Sequence, residues 1–263
     1  MGLSVAADAN LVTHFTWVQR QTQGMRVFET ADLVLTDGGM PCDTFCAACR
    51  ARLDSATAAT RIRETIEWYA EAGHPFSWWI GINDRPNDLR ARLADAGLEH
   101  AESEIAMAAD LARLPPVELS PGGLEVRRVR TAAELTAFAT ISAANWSPPD
   151  QHVIEFYRRA APLILGPEPA FWMYLGFLGE TPVAASQLTI GGGVVGLDNV
   201  STVESARDRG FGTALTVRPL LDAREAGFAS AILQAAPPGV SLYRRIGFAP
   251  FGEIAEYKPI AIP

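Results

Sequence analysis

Residues 200–215 combine residue types that bind phosphate groups. They run from an extended stretch into a predicted helix and contain the pattern Arg207-x-x-Gly210-x-Gly212. A junction of this kind presents unpaired backbone N–H groups and the positive end of a helix dipole at one point. Glycines let an anion approach those groups, and Arg207 and Arg209 can add charge-assisted hydrogen bonds. The segment therefore predicts a site for a diphosphate.

This pattern resembles motif A of the GNAT superfamily of N-acetyltransferases. A second block, Leu242-Tyr243-x-x-x-Gly247-Phe248, resembles motif B of the same family. Together the two motifs cover about residues 122–260, and the order of predicted elements is the GNAT order. The resemblance implies an α+β protein with the GNAT fold, in which helices flank a central mixed, mostly antiparallel sheet.

The resemblance also implies where acetyl-coenzyme A binds. The diphosphate is expected on the loop and the start of the following helix, and the pantetheine arm is expected to pair with the backbone of the preceding strand like an added strand. The residues concerned are Ser201, Thr202, Val203, Arg207, Asp208, Arg209, Gly210, Phe211, Gly212 and Thr213.

The chemistry implied by the family is direct attack of a neutral amine on the thioester, without an acyl-enzyme. Tyr243 is expected to be the acid that protonates the departing thiolate, since a phenol with its ordinary pKa near 10 is protonated at neutral pH. In this family the turn between the first two helices borders the thioester, so Trp146, His152 and Tyr157 are expected to line the acceptor pocket. Acetyl is the default donor, and the acceptor is expected to be a small-molecule primary amine.

Two questions stay open at this point. The base that takes the proton of the amine is Asp198, His152 or a chain of water molecules. The alternative function is a protein of the same fold that binds coenzyme A or acyl-coenzyme A as a sensor and catalyses nothing.

Three features depart from the family pattern. Glu204 stands where many relatives have proline, and it brings a carboxylate near an anionic cofactor. Pro219 lies inside the helix that follows the loop, so a kink is expected near Leu215. Pro237-Pro238 replaces a polar residue that often follows the next strand. None of the three removes a phosphate donor.

A proline- and glycine-rich stretch at residues 114–123 predicts a domain boundary, because neither a helix nor a central strand continues through it. The predicted domains are 1–115 and 122–263. The run Pro75-Phe76-Ser77-Trp78-Trp79 is similar to the first domain of tandem GNAT proteins, which is usually a degenerate copy. Residues 1–115 have no glycine loop after a strand, so this smaller GNAT-like domain is expected to bind no coenzyme A. Its expected role is to wall the acceptor pocket or to form a homodimer.

Hydrophobic periodicity, caps and turn residues predict the secondary structure. Thr131 with Glu134 predicts a capping box, Asp150 predicts the start of a further helix, and Gly73 predicts a left-handed helix end. In the N-terminal half, helices are expected at about 58–72 and 89–96, with strands at 26–29, 32–35, 75–81 and 99–110. In the C-terminal half, helices are expected at about 131–143, 150–161, 212–226 and 240–246. Strands are expected there at 124–129, 171–178, 183–190, 194–203, 229–235 and 248–259, the last range as more than one strand.

The composition describes a globular chain with 48% hydrophobic residues and a formal net charge of −8. An acidic protein is expected to bind nucleic acid or an anionic membrane poorly, because such binding requires clustered Lys and Arg on the protein surface. The sequence contains no signal-peptide pattern and no run of 18 apolar residues. A cytoplasmic protein is therefore predicted.

Three cysteines within eight positions, Cys42, Cys46 and Cys49, are expected to be reduced thiols. Their spacing matches the radical S-adenosylmethionine signature, but too few residues precede the boundary for the barrel that such enzymes need. A zinc site would need a fourth ligand, for which His74 is the nearest histidine after the cluster. No metal is predicted. The run from Gly191 to Gly196 has the letters of a dinucleotide fingerprint but precedes a strand, so it predicts a hairpin turn.

Overall fold

The computed structural model describes residues 2–260 and divides into two compact units. The first contains residues 1–105 together with 252–263, and the second contains residues 106–251. The packing thus places the last strand with the N-terminal unit, whereas the sequence-based division assigned it to the C-terminal domain. Residues 1 and 261–263, at the outer ends of the predicted domains, lie outside the described part. The division into GNAT-like domains at 1–115 and 122–263 stays a prediction.

Within residues 2–260, the first unit is built from three α-helices and six strands. Its elements are α1 (Leu3–Thr16), β1 (Arg26–Glu29), β2 (Val34–Asp37), β3 (Ala47–Cys49), α2 (Ala58–Ala72), β4 (Ser77–Ile80), α3 (Leu89–Asp95), β5 (Leu98–Asp110) and β11 (Ala249–Pro259). The last residues of β5 and the first of β11 belong to the second unit. In this unit the strand order is β1-β2-β3-β4-β11-β5, and the only parallel pair with a described register is β3 with β4.

The core of the first unit lies between its sheet and α2. Trp78 on β4 and Ile62 on α2 are fully buried in it, and Tyr69 stacks on Phe76 with ring centroids 4.2 Å apart. The hydroxyl of Tyr69 donates to the carbonyl of Thr36 at 2.9 Å, which satisfies its polar end. Trp78 is thus a core residue of a buried strand, within the range 75–81 where a strand was predicted.

Among the described residues, the second unit contains four α-helices and five strands of its own. These are β6 (Glu125–Arg128), α4 (Ala132–Ala143), α5 (Gln151–Ile164), β7 (Phe171–Leu178), β8 (Thr181–Gly191), β9 (Val194–Thr202), α6 (Phe211–Glu225), β10 (Ser230–Ala235) and α7 (Val240–Arg245), with the parts of β5 and β11 noted above. Strands β6 to β9 form an antiparallel meander, and β10 joins β9 in parallel. This is the mixed, mostly antiparallel sheet that the sequence predicted.

Local signals in the sequence account for how the helices begin and end. Thr131 accepts a hydrogen bond from the N–H of Glu134, whose carboxylate accepts one from the N–H of Thr131, so α4 begins with the predicted capping box. Asp150 caps α5 through the N–H of His152. Gly73 ends α2 in the left-handed conformation, with φ of +67°.

Three predictions of secondary structure were incomplete. Helix α1 was missed, because its buried residues give no amphipathic pattern. Strand β3 was missed because it has only three residues, all small. Residues 249–259 form one strand and not several. Over residues 2–260, no helix is both long and apolar enough to cross a membrane.

Candidate functional site

Strands β9 and β10 run in parallel for three residue pairs and then separate. The pairs are Val195 with Ala231, Gly196 with Ile232, and Leu197 with Leu233. Each strand continues past its last pair, β9 to Thr202 and β10 to Ala235. Within the described residues no further pairing joins them, so a gap opens between two strand backbones. An extended ligand can place its own polar groups against strand N–H and C=O groups in such a gap.

A bulge in β9 coincides with the start of this gap. Ser201 faces Ala185 on β8, but the next pair is Asp198 with Gln187, so two residues of β9 stand opposite one residue of β8. One of the two, Asn199, has φ of +53°, a left-handed conformation that asparagine tolerates better than most residues. The bulge lies just before Ser201 and Thr202, the residues expected to pair with pantetheine.

Helix α6 begins at the other end of the predicted cofactor segment. Its N-cap is Gly210 in the left-handed conformation, with φ of +82°, and no side chain caps the helix. By contrast, α4 and α5 in the same unit are capped by Thr131 and Asp150. The first N–H groups of an α-helix lack helical acceptors and, with the helix dipole, favour an anion. The start of α6 is thus a helix N-terminus without a side-chain cap, and the binding of a diphosphate there stays a prediction.

The two glycines of the loop differ in what they allow. A Cβ on Gly210 would lie 3.5 Å from Pro121, an ordinary contact, but the positive φ disfavours any other residue. A Cβ on Gly212 would have only Leu242 within 4.0 Å. Crowding by neighbouring protein atoms therefore does not require glycine at either position. Space above Gly212 is therefore consistent with the close approach of a ligand.

The charged residues of the loop are exposed and lie beside these glycines. Arg207 donates from Nε to the carbonyl of Thr202 at 3.2 Å, which ties the loop to the end of β9. The guanidinium of Arg209 lies 4.8 Å from the ring centroid of Phe211, whose side chain is buried. Asp208 is left-handed, with φ of +61°. Glu204, the departure from the family pattern, is exposed in a short 3-10 turn.

Pro219 is accommodated inside α6, which continues from Phe211 to Glu225. A proline cannot donate to the carbonyl four residues earlier, here that of Leu215. Ser186 of β8 donates its hydroxyl to this carbonyl at 2.7 Å. The freed acceptor is therefore satisfied by the sheet on which the helix packs.

Tyr243 is half-buried on α7, as the predicted motif B places it. Its ring packs edge to face against Phe248, with centroids 6.0 Å apart, and a Cβ on Gly239 would lie 3.2 Å from the ring. These contacts fix the ring at the segment that follows β10. Tyr243 thus lies on the helix that follows β10, the strand that forms one side of the gap, and its role as an acid stays a prediction.

The turn between α4 and α5 contacts β9 directly. Asn145 donates from Nδ2 to the hydroxyl of Ser201 at 2.8 Å. The next residue, Trp146, is 43% exposed although its side chain is large and apolar. The structure therefore brings the predicted acceptor residue Trp146 to the same turn as a residue that touches the predicted pantetheine strand.

The other two predicted acceptor residues have different surroundings. His152 is half-buried in the first turn of α5, with Nδ1 3.0 Å from Oδ1 of Asp150. Tyr157 is only 4% exposed, and its hydroxyl is engaged with Gln187 and Asn199. Burial raises the pKa of Tyr157, so its phenol is protonated at neutral pH. A contact of either residue with an acceptor stays a prediction.

Asn199 was not singled out from the sequence, although a signal was present. Asp198-Asn199 interrupts an otherwise apolar strand with two residues that are rare in strands. Asparagine in that position is a signal for a left-handed residue. The signal did not identify a bulge by itself, because the bulge is defined by the pairing of β9 with β8.

The three cysteines are buried thiols in the first unit. Cys46 lies 3.7 Å from Oδ1 of Asp37, which also accepts from Gly39 and lies 2.8 Å from Nδ1 of His74. Arg26 pairs with the second oxygen of Asp37 at 2.7 Å, so the charge of this carboxylate is already balanced within the protein. Burial raises the pKa of Cys46 to about 12. These contacts indicate a structural polar cluster.

Comparison with solved structures identifies the fold. A GCN5-related N-acetyltransferase from Kribbella flavida superposes with a TM-score of 0.74 at 21% identity, over 100% of this chain and 97% of that one. A tandem GNAT protein from the clavulanic acid biosynthesis pathway matches with a TM-score of 0.61 at 11% identity, over 97% and 88%. A GCN5-related N-acetyltransferase from Sphaerobacter thermophilus matches with 0.60 at 17% identity, over 86% and 79%.

Comparisons of sequence gave a different result. No protein-family model matches the chain, and no curated protein matches it. Identities of 11–21% to the solved structures establish the fold alone. The predicted GNAT fold and the likeness to tandem GNAT proteins are therefore confirmed.

Proposed function

Because this chain has the fold of the GCN5-related N-acetyltransferases, we propose that it transfers the acyl group of acetyl-coenzyme A to the primary amine of a small molecule. The observation that carries the proposal is the gap between β9 and β10, which opens after Leu197 and Leu233. The glycine start of α6 follows β9 by a short loop. An extended thioester with a diphosphate at one end matches this combination in both shape and charge.

In the proposed reaction the amine nitrogen attacks the thioester carbonyl carbon, and a C–N bond forms as the C–S bond breaks. The nitrogen loses one proton, and the sulfur leaves as a thiolate that Tyr243 protonates. The N–H of Val203 donates to the carbonyl of Val183 at 2.9 Å, so the backbone N–H that stabilises the oxyanion is that of Ser201 or Thr202. The acceptor of the amine proton is Asp198, His152 or water. Asp198 is half-buried on β9, and its Oδ2 accepts from the hydroxyl of Thr189 at 2.6 Å.

The first unit also has a parallel strand pair, β3 with β4. Unlike β9 and β10, the chain segments that follow these two strands stay joined by hydrogen bonds. Arg85 donates its N–H to the carbonyl of Ala51 at 2.9 Å and accepts at its own carbonyl from Leu53 at 3.2 Å. Arg52 also binds Asp84 at 2.6 Å. These bonds join the two segments between which a pantetheine arm would have to lie. We therefore propose that residues 1–115 bind no coenzyme A.

Calorimetry with coenzyme A and acetyl-coenzyme A tests the proposed site. The variant Gly210→Glu places a carboxylate where the diphosphate is expected, so binding should fall below detection. Gly179→Glu is the matched control, because Gly179 also has positive φ but lies in the turn between β7 and β8. If Gly210→Glu binds as tightly as Gly179→Glu, the diphosphate does not bind at α6.

The alternative is a protein of this fold that binds the cofactor as a sensor. Release of free thiol from acetyl-coenzyme A in the presence of a panel of primary amines separates the two functions. Acceleration by any amine supports the enzyme. Tight binding of the cofactor without acceleration by any amine supports the sensor.

A further inference from the structure

Five polar side chains form a connected series of hydrogen bonds beside the bulge in β9. Asn199 donates from Nδ2 to the hydroxyl of Tyr157 at 3.0 Å and to Oε1 of Gln187 at 3.2 Å. The hydroxyl of Tyr157 donates to the same oxygen of Gln187 at 3.1 Å. Nε2 of Gln187 donates to Thr189 at 3.2 Å, and the hydroxyl of Thr189 donates to Asp198 at 2.6 Å.

The hydrogen bonds of the series run in one direction, from donor to acceptor, and the series begins and ends on β9. Each hydroxyl in it accepts one bond and donates another, and the last acceptor is the carboxylate of Asp198. The first donor, Asn199, is its neighbour in sequence. Gln187 and Thr189 are fully buried and Tyr157 nearly so, so breaking one of these bonds leaves a polar group without water to replace its partner.

The bulge and the series depend on each other. In a regular strand the side chains of adjacent residues point to opposite faces of the sheet. Here Asp198 accepts from Thr189 and Asn199 donates to Gln187, and these two partners lie two residues apart on one face of β8. The left-handed conformation of Asn199 makes this convergence available. The hydrogen bonds in turn hold Asn199 in a conformation that is rare for a residue with a side chain.

We propose that Tyr157 and Asn199 are positioning residues, which hold the bulge in β9 and thereby place residues 200–202 and the carboxylate of Asp198 for acyl transfer. This inference rests on the proposed function. Neither side chain needs to touch a substrate, since the two are joined to each other through the hydroxyl of Tyr157. Small displacements of groups that orient a reaction reduce its rate far more than they reduce binding.

Tyr157→Phe removes the hydroxyl and keeps the ring, which packs against Phe138 and Phe156. The matched control is Tyr174→Phe on β7 of the same unit. Tyr174 is likewise buried, and its hydroxyl also donates one hydrogen bond, to Asp222 at 3.0 Å, but it lies outside the series. The two variants therefore lose the same chemical group from a buried tyrosine.

Steady-state kinetics of the full chain with acetyl-coenzyme A and a competent amine give the first measurement. Tyr157→Phe should lower kcat about 10-fold with little change in the dissociation constant for coenzyme A, while Tyr174→Phe keeps kcat within about twofold. Asn199→Gly should lower kcat like Tyr157→Phe, because glycine tolerates the backbone conformation but lacks the donor. Equal kcat for the two tyrosine variants, or wild-type kcat in Asn199→Gly, would overturn the proposal.

Hydrogen–deuterium exchange gives a second measurement that does not need turnover. Peptides that cover residues 198–203 should exchange faster in Tyr157→Phe than in the wild type or in Tyr174→Phe. If the wild type binds no coenzyme A and accelerates no amine, the proposed function fails, and exchange still tests the hydrogen-bonded bulge. Unchanged exchange in Tyr157→Phe would show that the hydroxyl does not hold the strand.

Discussion

Leu197 and Leu233 face each other in the last pair of the parallel strands β9 and β10. Both side chains are buried, so the pair anchors the sheet at the point where the gap begins. Two residues after Leu197, at Asn199, the bulge turns β9 away from its regular register with β8. The closed end of the proposed thioester site is therefore made of core residues, and its open end is made of loop and helix backbone.

Arg209 should contribute to cofactor affinity through charge, since it is exposed beside the start of α6. Arg209→Ala is expected to raise the dissociation constant for coenzyme A about fivefold at low salt and less at high salt. The control is Arg224→Ala, which removes the same charge in the last turn of the same helix. Equal weakening by both variants would indicate a general effect of net charge and not a contact with the phosphates.

Tyr243→Phe should separate binding from chemistry. The ring contact with Phe248 is kept in this variant, so the fold and the affinity for acetyl-coenzyme A are expected to stay unchanged. Loss of the proton donor should lower kcat about 100-fold. The measurement is thiol release under saturating cofactor, together with calorimetry. Full kcat in Tyr243→Phe would remove this residue from the mechanism.

The stability of the first unit should respond to the ionisation of Asp84, whose side chain is 1% exposed. Burial raises the pKa of Asp84 from 3.8 to about 6, despite hydrogen bonds from Gly81 and Arg52. The folded state therefore binds this proton more tightly than the unfolded state does. The stability that this protonation contributes is fully present below pH 3.8 and is lost as the pH rises to about 6. The free energy of unfolding changes by roughly 3 kcal/mol over this range.

Urea unfolding of the wild type and of Asp84→Asn at several pH values measures this contribution. The variant should gain stability relative to the wild type as the pH rises. Asp37→Asn should show the opposite trend. Burial opposes the ionisation of Asp37, but hydrogen bonds from Arg26, Gly39 and His74 outweigh it and lower the pKa. Parallel curves for the wild type and Asp84→Asn would contradict the assignment.

Much of the local structure followed from residues that act over a few positions. Thr131 with Glu134, Asp150 and Gly73 each set a helix end through contacts within four residues, and all three were predicted. The glycine start of α6 was predicted for the same reason. In each case a side chain or a φ angle is sufficient to define the local conformation.

The buried polar series was not predictable in this way. Tyr157 was expected at the acceptor pocket, yet it lies 42 residues from Asn199 in sequence and 3.0 Å from it in the fold. Periodicity places Tyr157 on a helix but gives no partner for its hydroxyl. The bonds that join the segments after β3 and β4 in the first unit were not predictable for the same reason, since Arg52 and Asp84 are 32 residues apart in sequence.

The sequence alone determined the GNAT resemblance, the element order of the C-terminal half and the loop that can accept a diphosphate, because these depend on short-range spacing. Only the tertiary structure decided where β9 leaves β10, which residue carries the bulge and which side chains hold it. Those features depend on strand register and on hydrogen bonds between distant residues, and both arise only when the sheet and its helices pack together.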